Sequence, residues 1–266
     1  MDIRTFVALG DSFTEGVGDP DPARPNGVRG WADRVAEVLA ARAADGGGAL
    51  GYVNLAIRGR KLGAVLDQQL EPALAARPDL VTLYAGGNDI MRPRVDVDGL
   101  VARYDEAVGR LAATGATVVL FTAFDPGGFP VFAPMRGRFA VYNELVREVA
   151  DRHDTRLVDF WRMREYRDPR MWAADRLHMS AAGHQRMAMA VLDTLGLEHG
   201  LEPLPLEDPP VRTAREARAE HVAWARTHAA PWVRRRLTGT SSGDALSPRY
   251  PADPTGVAAP FAGWSG

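Results

Sequence analysis

Thr5-Phe6-Val7-Ala8-Leu9-Gly10-Asp11-Ser12 decides the fold class: a short apolar run meets a glycine, an acid and a serine. A strand without polar alternation suits a sheet covered on both faces, and Gly10 ends it sharply. The same cadence returns four times. Residues 52–57, 80–84, 117–122 and 156–160 read as strands, and residues 117–122 are rich in the β-branched and aromatic types that fill sheet interiors. Between them lie helical repeats. One covers 31–44, with Val35, Val38 and Leu39 on its apolar face, and one covers about 59–70. A third is marked by Val101, Tyr104, Val108 and Leu111, a fourth by Val141, Leu145 and Val149, and the last covers 181–195. Five strand–helix alternations predict an α/β protein with a five-stranded parallel sheet between two helical layers. Right-handed crossovers then bring the carboxyl ends of all five strands to one edge, where loops build sites.

The chain has 266 residues, 46% hydrophobic and 25% charged, enough to bury a core without staples. It has no cysteine, which excludes disulfides, thiolate metal sites and a cysteine nucleophile. Lys61 is the only lysine among 32 basic residues, which are interleaved with 34 acidic ones for a net charge of −2. That balance disfavours nucleic acid as a partner. The apolar run after the N-terminus is too short for a secretory leader, and no stretch is long enough to span a membrane, so the expected location is cytoplasmic. No metal site is expected, since His153-Asp154 lacks a third ligand at motif spacing.

The catalytic domain is expected to close near residue 197, giving a unit over 1–197. Residues 198–237 then read as a proline-rich strap followed by a helical extension. Trp224, His228 and Trp232 recur every four residues there, and Pro231 should bend or restart the helix. The mixed charges of Arg215, Glu216, Arg218 and Glu220 disfavour a membrane surface, and docking on the chain's own domain is expected, with contact to a second subunit as the alternative. Residues 238–266, rich in Gly, Ser, Pro and Ala, are expected to be a largely disordered tail, pinned if at all through Phe261 and Trp264 and removable at little cost in stability.

Chemistry-bearing residues collect at the strand ends. The turn after strand one holds no Gly-x-Gly-x-x-Gly and no Gly-Lys-Ser/Thr, and it carries two carboxylates, which argues against a bound pyrophosphate. Ser12 there reads either as a helix cap or as a nucleophile exposed at the sheet edge. Strand two leads to Arg58-Gly59, where glycine permits close backbone approach to a ligand. Strand three leads to Gly86-Gly87-Asn88-Asp89, an Asx turn or a fixed amide donor. Late in the chain, Asp175-Arg176-Leu177-His178 sets a carboxylate three residues before an imidazole, a spacing at which the acid can orient the ring. His184 reads as a structural or surface histidine. Lys61 reads chiefly as a solvated lysine at a helix start, with recognition of an anionic group as the alternative. The aromatic loop from Phe124 to Phe132 and the 135–139 stretch are candidates for an acyl pocket.

Taken in order, Gly10-Asp11-Ser12-Phe13-Thr14-Glu15-Gly16, Asn54-Leu55-Ala56-Ile57-Arg58-Gly59, Gly86-Gly87-Asn88-Asp89 and Asp175-Arg176-Leu177-His178 resemble the four blocks of the SGNH hydrolases, or GDSL-type esterases and lipases. The resemblance covers roughly residues 4–197. It implies a three-layer α/β/α flavodoxin-like fold with the C-terminal helical extension as an addition. It implies a serine ester hydrolase working through an acyl-enzyme on a small aliphatic, lipid or acetyl ester, without a cofactor. By matched position Ser12 is the implied nucleophile, His178 the general base and Asp175 its orienting acid. The Ser12 and Gly59 N–H groups and the Asn88 amide are the implied oxyanion hole. Asp11 is expected to accept hydrogen bonds within the first turn. Acyl transfer by the same triad, or binding on a catalytically dead fold, are the competing readings. A small-molecule ester is the expected partner and a monomer the expected state, with a homodimer as the alternative. Two positions depart from the family's habit, Lys61 after block two and Met179 after the histidine, and neither removes a required chemical group.

Overall fold

The structure is a computed structural model. It describes residues 2–128, 132–210, 212–253 and 255–261, with the side chains of all of these except 236 and 237. Five parallel strands form the centre: β1 (Thr5–Gly10), β2 (Leu50–Asn54), β3 (Leu80–Tyr84), β4 (Thr117–Phe121) and β5 (Arg156–Val158). A sixth, β6 (Pro260–Phe261), pairs antiparallel with β2, and the order across the sheet is β5-β4-β3-β1-β2-β6. The expected all-parallel, five-stranded sheet is therefore corrected to a mixed one. The edge of β2 is not left open: Gly51 lies opposite Pro260 and Leu50 opposite Phe261, which shields a strand edge that could otherwise template pairing.

The helices follow in chain order: α1 (Ser12–Glu15), α2 (Trp31–Asp45), α3 (Leu62–Val65), α4 (Glu71–Ala75), α5 (Gly87–Ile90), α6 (Val97–Ala112), α7 (Arg136–Arg152), α8 (Ala181–Leu195), α9 (Ala214–Trp224) and α10 (Ala230–Thr238). Helices α2 and α8 pack together over one face of the sheet, and α6 and α7 pair on the other. Strands β1 to β4 bury nearly every residue, and β3 buries all five of its residues, as a doubly covered sheet requires. Ser180 caps α8 by accepting from the Gly183 N–H, and Gly196 ends it in the left-handed region.

Two helical segments differ from expectation. The helix expected over 59–70 starts at Leu62 and runs on through a π turn (Leu66–Leu70) to Ala75. Pro72 is tolerated because it stands in the first turn of the resumed helix. In α7 the buried stripe is Phe139, Tyr142, Val146 and Val149, whereas Val141 is exposed.

Between β2 and β3 the chain crosses from one side of β1 to the other, so connections leave the carboxyl ends of β1 and β3 in opposite directions. Such a switch point opens a crevice at the sheet edge. The first block leaves β1 into that crevice and the third leaves β3. Gln69 pins the rim, since its side-chain amide bonds both the N–H and the carbonyl of Gly10 at 2.8 and 3.0 Å.

The described residues of the C-terminal segment, expected to be a largely disordered tail, include several packed against the domain. Arg249 is buried, and it donates to Asp33 at 2.7 Å and to the carbonyls of Pro25, Glu15 and Val28. Tyr250 bridges to Asn54, and the Phe261 ring sits against Tyr52 with centroids 5.1 Å apart. The anchors are thus Arg249, Tyr250 and Phe261, while Trp264 lies outside the described residues. A tail built on one arginine reaching a buried carboxylate escapes any reading of composition, because the partner stands 216 positions away. Upstream, the strap carries no regular element. It is held at the Glu202 carbonyl by Gln185 at 2.9 Å.

Candidate active site

Asp11 begins the site. Its carboxylate caps α1, accepting from the Phe13 N–H at 3.1 Å, and its other oxygen accepts from the Asn88 amide at 3.0 Å. Blocks one and three are thereby joined directly. Burial pushes the Asp11 carboxyl up to about 7, against the opposing effect of the Phe13 N–H, the His178 charge and the Asn88 amide. An acid with a raised folded pKa contributes stability that is full below its unfolded value near 4 and lost as pH rises through about 7. Asp11→Asn keeps a capping oxygen but cannot titrate. Its unfolding free energy relative to the parent should rise between pH 4 and pH 8, read by urea titration at each pH. A constant difference would show that Asp11 titrates normally.

Blocks one and two are joined by Glu15. Its side chain is fully buried and accepts from the Arg58 backbone N–H at 2.6 Å and from the Arg58 guanidinium at 2.7 Å. That pair sets the turn carrying Gly59, which has φ +78°, a conformation that favours glycine. A Cβ at Gly59 would lie 2.0 Å from Ser241 Oγ, so the C-terminal segment packs directly over this turn. The N–H groups of Ser12 and Gly59 have no acceptor among the described residues.

His178 is presented by a tight loop. The Asp175 carboxylate accepts from the Leu177 and His178 N–H groups, both at 3.0 Å, and its second oxygen lies 2.6 Å from His178 Nδ1. Burial alone would raise the Asp175 carboxyl. The His178 ring and those two N–H groups outweigh it and bring the group down to about 2, so Asp175 is an anion at neutral pH. Gly18 lets the first loop pass beneath: its φ is +107°, and a Cβ there would stand 2.1 Å from the Met179 carbonyl.

Ser12, Gly59, Asn88 and His178 line one cavity of about 140 Å³, walled by rings that include Phe124 and Phe139. Two members of the aromatic stretches expected to form an acyl pocket are thus in place. Phe132 lines an adjoining cavity instead, and Phe129, Pro130 and Val131 lie outside the described residues. No hydrogen bond joins the Ser12 hydroxyl to His178; catalytic bonds of this kind often close only around substrate. Asn88 is more committed than the motif suggests. Its two amide protons go to Asp11 and to the Arg60 carbonyl, each at 3.0 Å, so the donors free in this state are the two backbone N–H groups.

Other candidates separate cleanly. His184 is buried, with Nδ1 accepting from the Trp31 N–H and Nε2 on the Val17 carbonyl, and burial brings it down to about 3. It is a neutral structural histidine. Lys61 is exposed at the start of α3 and does not line the cavity. His153 bonds Asp105 at 2.7 Å, and no group of three metal-ligating side chains occurs among the described residues. No helix among them is long and apolar enough to cross a membrane.

The sequence reading missed the wall supplied by the extension. Trp224 Nε1 donates to the Asp175 carbonyl at 3.1 Å, and the Arg176 guanidinium lies 4.8 Å above the Trp224 ring. After a π turn (Ala225–Ala229) α10 restarts with Pro231 in its first turn, as the sequence predicted. Trp232, 6.2 Å from Phe132, then lines the Ser12 cavity together with Arg235 and Ser241. The four-residue recurrence of Trp224, His228 and Trp232 marked this face. Nothing local marked that it would close a site rather than cover core, and Val222 and Val233 remain exposed.

A serine, an imidazole paired with a carboxylate anion and free N–H donors around a small cavity define a serine-type carboxylic ester hydrolase. The chain belongs to the GDSL-like lipase/acylhydrolase family, whose model matches residues 8–186. It is 28% identical over 213 residues to an acetylxylan esterase of Geobacillus stearothermophilus, covering 73% of this chain and 94% of that one. The solved structure of that organism's Axe2, an acetylxylan esterase, matches with a TM-score of 0.61 at 26% identity, over 74% of this chain and 98% of the other. An alpha/beta hydrolase from the metagenome of Lake Arreo, Spain, matches with a TM-score of 0.59 at 29% identity, over 73% and 95%. These matches correct the likeness drawn from the motifs to SGNH hydrolases at large: the named relatives run repeatedly to acetylxylan esterases, not to general lipases.

Proposed function

We propose that the protein removes a small acyl group, acetyl above all, from an alcohol through an acyl-enzyme on Ser12. The Ser12 hydroxyl attacks the ester carbonyl while His178 takes its proton, and Asp175 holds the ring through Nδ1 and stabilises the imidazolium. The Ser12 and Gly59 N–H groups stabilise the developing oxyanion, and Asn88 joins them by giving up the Arg60 carbonyl. The C–O bond to the alcohol breaks as His178 returns the proton to the leaving oxygen. Water, deprotonated by the same ring, then releases the acid. The observation that carries this reading is the 2.6 Å Asp175–His178 pair, whose imidazole residue lines the cavity holding Ser12. The relatives support it. Axe2 variants described as catalytic mutants replace a serine, an aspartate and a histidine, the last two three positions apart like Asp175 and His178.

The cavity's size sets the acyl length. At about 140 Å³ with aromatic walls, it suits an acetyl group and crowds a long chain. On 4-nitrophenyl acetate, butyrate and octanoate, kcat/KM should fall by at least roughly tenfold from the first to the last, since even one misfit methylene in a rigid pocket is worth about 1–3 kcal/mol. A rate that rises with chain length would overturn the small-acyl assignment in favour of a lipid ester. We place the enzyme's action in hydrolysis rather than transfer. The products of an acetyl ester with and without added alcohol acceptors, resolved by chromatography, test that choice.

A further inference from the structure

Two arginines that make no ion pair among the described residues line the Ser12 cavity, although the Asp89 carboxylate lies within electrostatic reach of the first, Arg92. Arg92 follows α5, one turn beyond Asn88, and its Nε is buried with no hydrogen-bond partner. The turn holding it is fixed: the Arg138 guanidinium donates to the carbonyls of Ile90 and Arg92 at 3.0 and 2.6 Å, and the Arg92 N–H bonds the Asp89 carbonyl at 2.8 Å. Arg235 comes from a different element, α10, and is partly buried. Its guanidinium makes no ion pair among the described residues, and it borders both the Ser12 cavity and the adjoining one of about 420 Å³. The third arginine of the wall, Arg58, is different, because Glu15 already holds it. Asp11, the acid in the same wall, is pushed up by burial and bound to Asn88, so it offsets this charge only in part.

Half-buried guanidinium groups normally find a carboxylate or carbonyl, because an uncompensated buried charge is costly. Two left without an ion pair in the lining of one cavity are suited to an oxyanion brought from outside. We propose that Arg92 and Arg235 form an anion subsite, so that the preferred substrate is an ester whose alcohol part carries a carboxylate or similar oxyanion. This rests on the acyl-ester reading above. An acetyl group has no room for a charge, so the charge belongs to the alcohol. The adjoining cavity, which shares Asp175 and His178 with the site and is walled by Trp224 and Trp232, gives that alcohol space. Arg235 lies outside residues 8–186 matched by the family. The extension therefore adds a specificity element to a family catalytic core.

The test pairs 4-acetoxybenzoate with its neutral methyl ester. The parent should favour the acid in kcat/KM, and the preference should shrink as salt is raised. Arg92→Gln and Arg235→Gln should each lower the acid-to-neutral ratio by roughly tenfold or more, as loss of a charge-assisted hydrogen bond implies. Arg234→Gln, which removes the same charge at an exposed position beside the cavity, should leave the ratio unchanged. Binding of the product 4-hydroxybenzoate, by calorimetry, gives a readout without turnover and should weaken in the same two variants. No acid preference in the parent, or equal effects of all three variants, overturns the subsite. Failure to cleave either ester while 4-hydroxybenzoate still binds through Arg92 and Arg235 would overturn the esterase reading and leave the subsite standing.

Discussion

Ser12→Ala should lower kcat for an acetyl ester on the order of 10⁴-fold or more while the melting temperature stays at the parent's value. The size of the loss follows from the division of labour: without the hydroxyl there is no acyl-enzyme, and the imidazole and oxyanion donors retain only the residual catalysis of a broken triad. Stability should be indifferent because the Ser12 hydroxyl makes no hydrogen bond among the described residues. The first turn is capped by Asp11 and not by the serine. Circular dichroism with steady-state rates on 4-nitrophenyl acetate reads both quantities. A variant that keeps more than about a hundredth of the parent's turnover would take the nucleophile's role away from Ser12.

Arg249→Ala should cost about 3–5 kcal/mol of folding free energy, the range found when one member of a buried ion pair is removed. Both partners have fully buried side chains, and Asp33 also accepts from the Gly30 N–H at 2.7 Å and from the Tyr52 hydroxyl at 3.3 Å. Burial already pushes the Asp33 carboxyl up, and the arginine is what opposes it. Without Arg249 an acid is stranded in the core, and the carbonyls of Glu15, Pro25 and Val28 lose their donor. In a chain of this size that amounts to a fall in melting temperature on the order of 10 °C. Pairing Arg249→Met with Asp33→Leu should recover part of the loss, because an apolar replacement for both charges avoids the stranded acid. Arg249→Ala melting within about a degree of the parent would mean that the tail is not the anchor drawn here.

The effect should also reach chemistry. Arg249 holds the Glu15 carbonyl, and the Glu15 side chain holds Arg58, the residue before Gly59. The tail thus supports the turn of Gly59, a cavity-lining residue whose N–H has no acceptor among the described residues.

Much of this architecture is legible along the chain, for physical reasons. The runs that become β1, β3 and β4 are apolar but for one threonine each because both faces are covered. The starts and stops of α8 are written in Ser180 and Gly196. The candidate site is legible because acyl transfer needs few groups at strand ends, and Ser12, Gly59, Asn88 and His178 do meet in one cavity. What escapes is whatever depends on distant partners. Residues 238–261 look solvent-loving in composition, yet Arg249 and Phe261 are buried. That Asn88 spends both protons, that Lys61 does not line the cavity, and that Arg92 and Arg235 make no ion pair among the described residues are facts of assembled geometry. A residue's type states what it can bond, and only the fold states what it has left to bond with.

The central claim is that the acyl group rests on Ser12 Oγ. Treatment of the parent with a fluorophosphonate, followed by intact-mass measurement and peptide mapping, tests it most directly. The account predicts one adduct per chain, on the peptide containing Gly10-Asp11-Ser12, absent in Ser12→Ala and slowed in His178→Ala. An adduct mapped to any other residue, or none on a protein that is turning over ester, would contradict it.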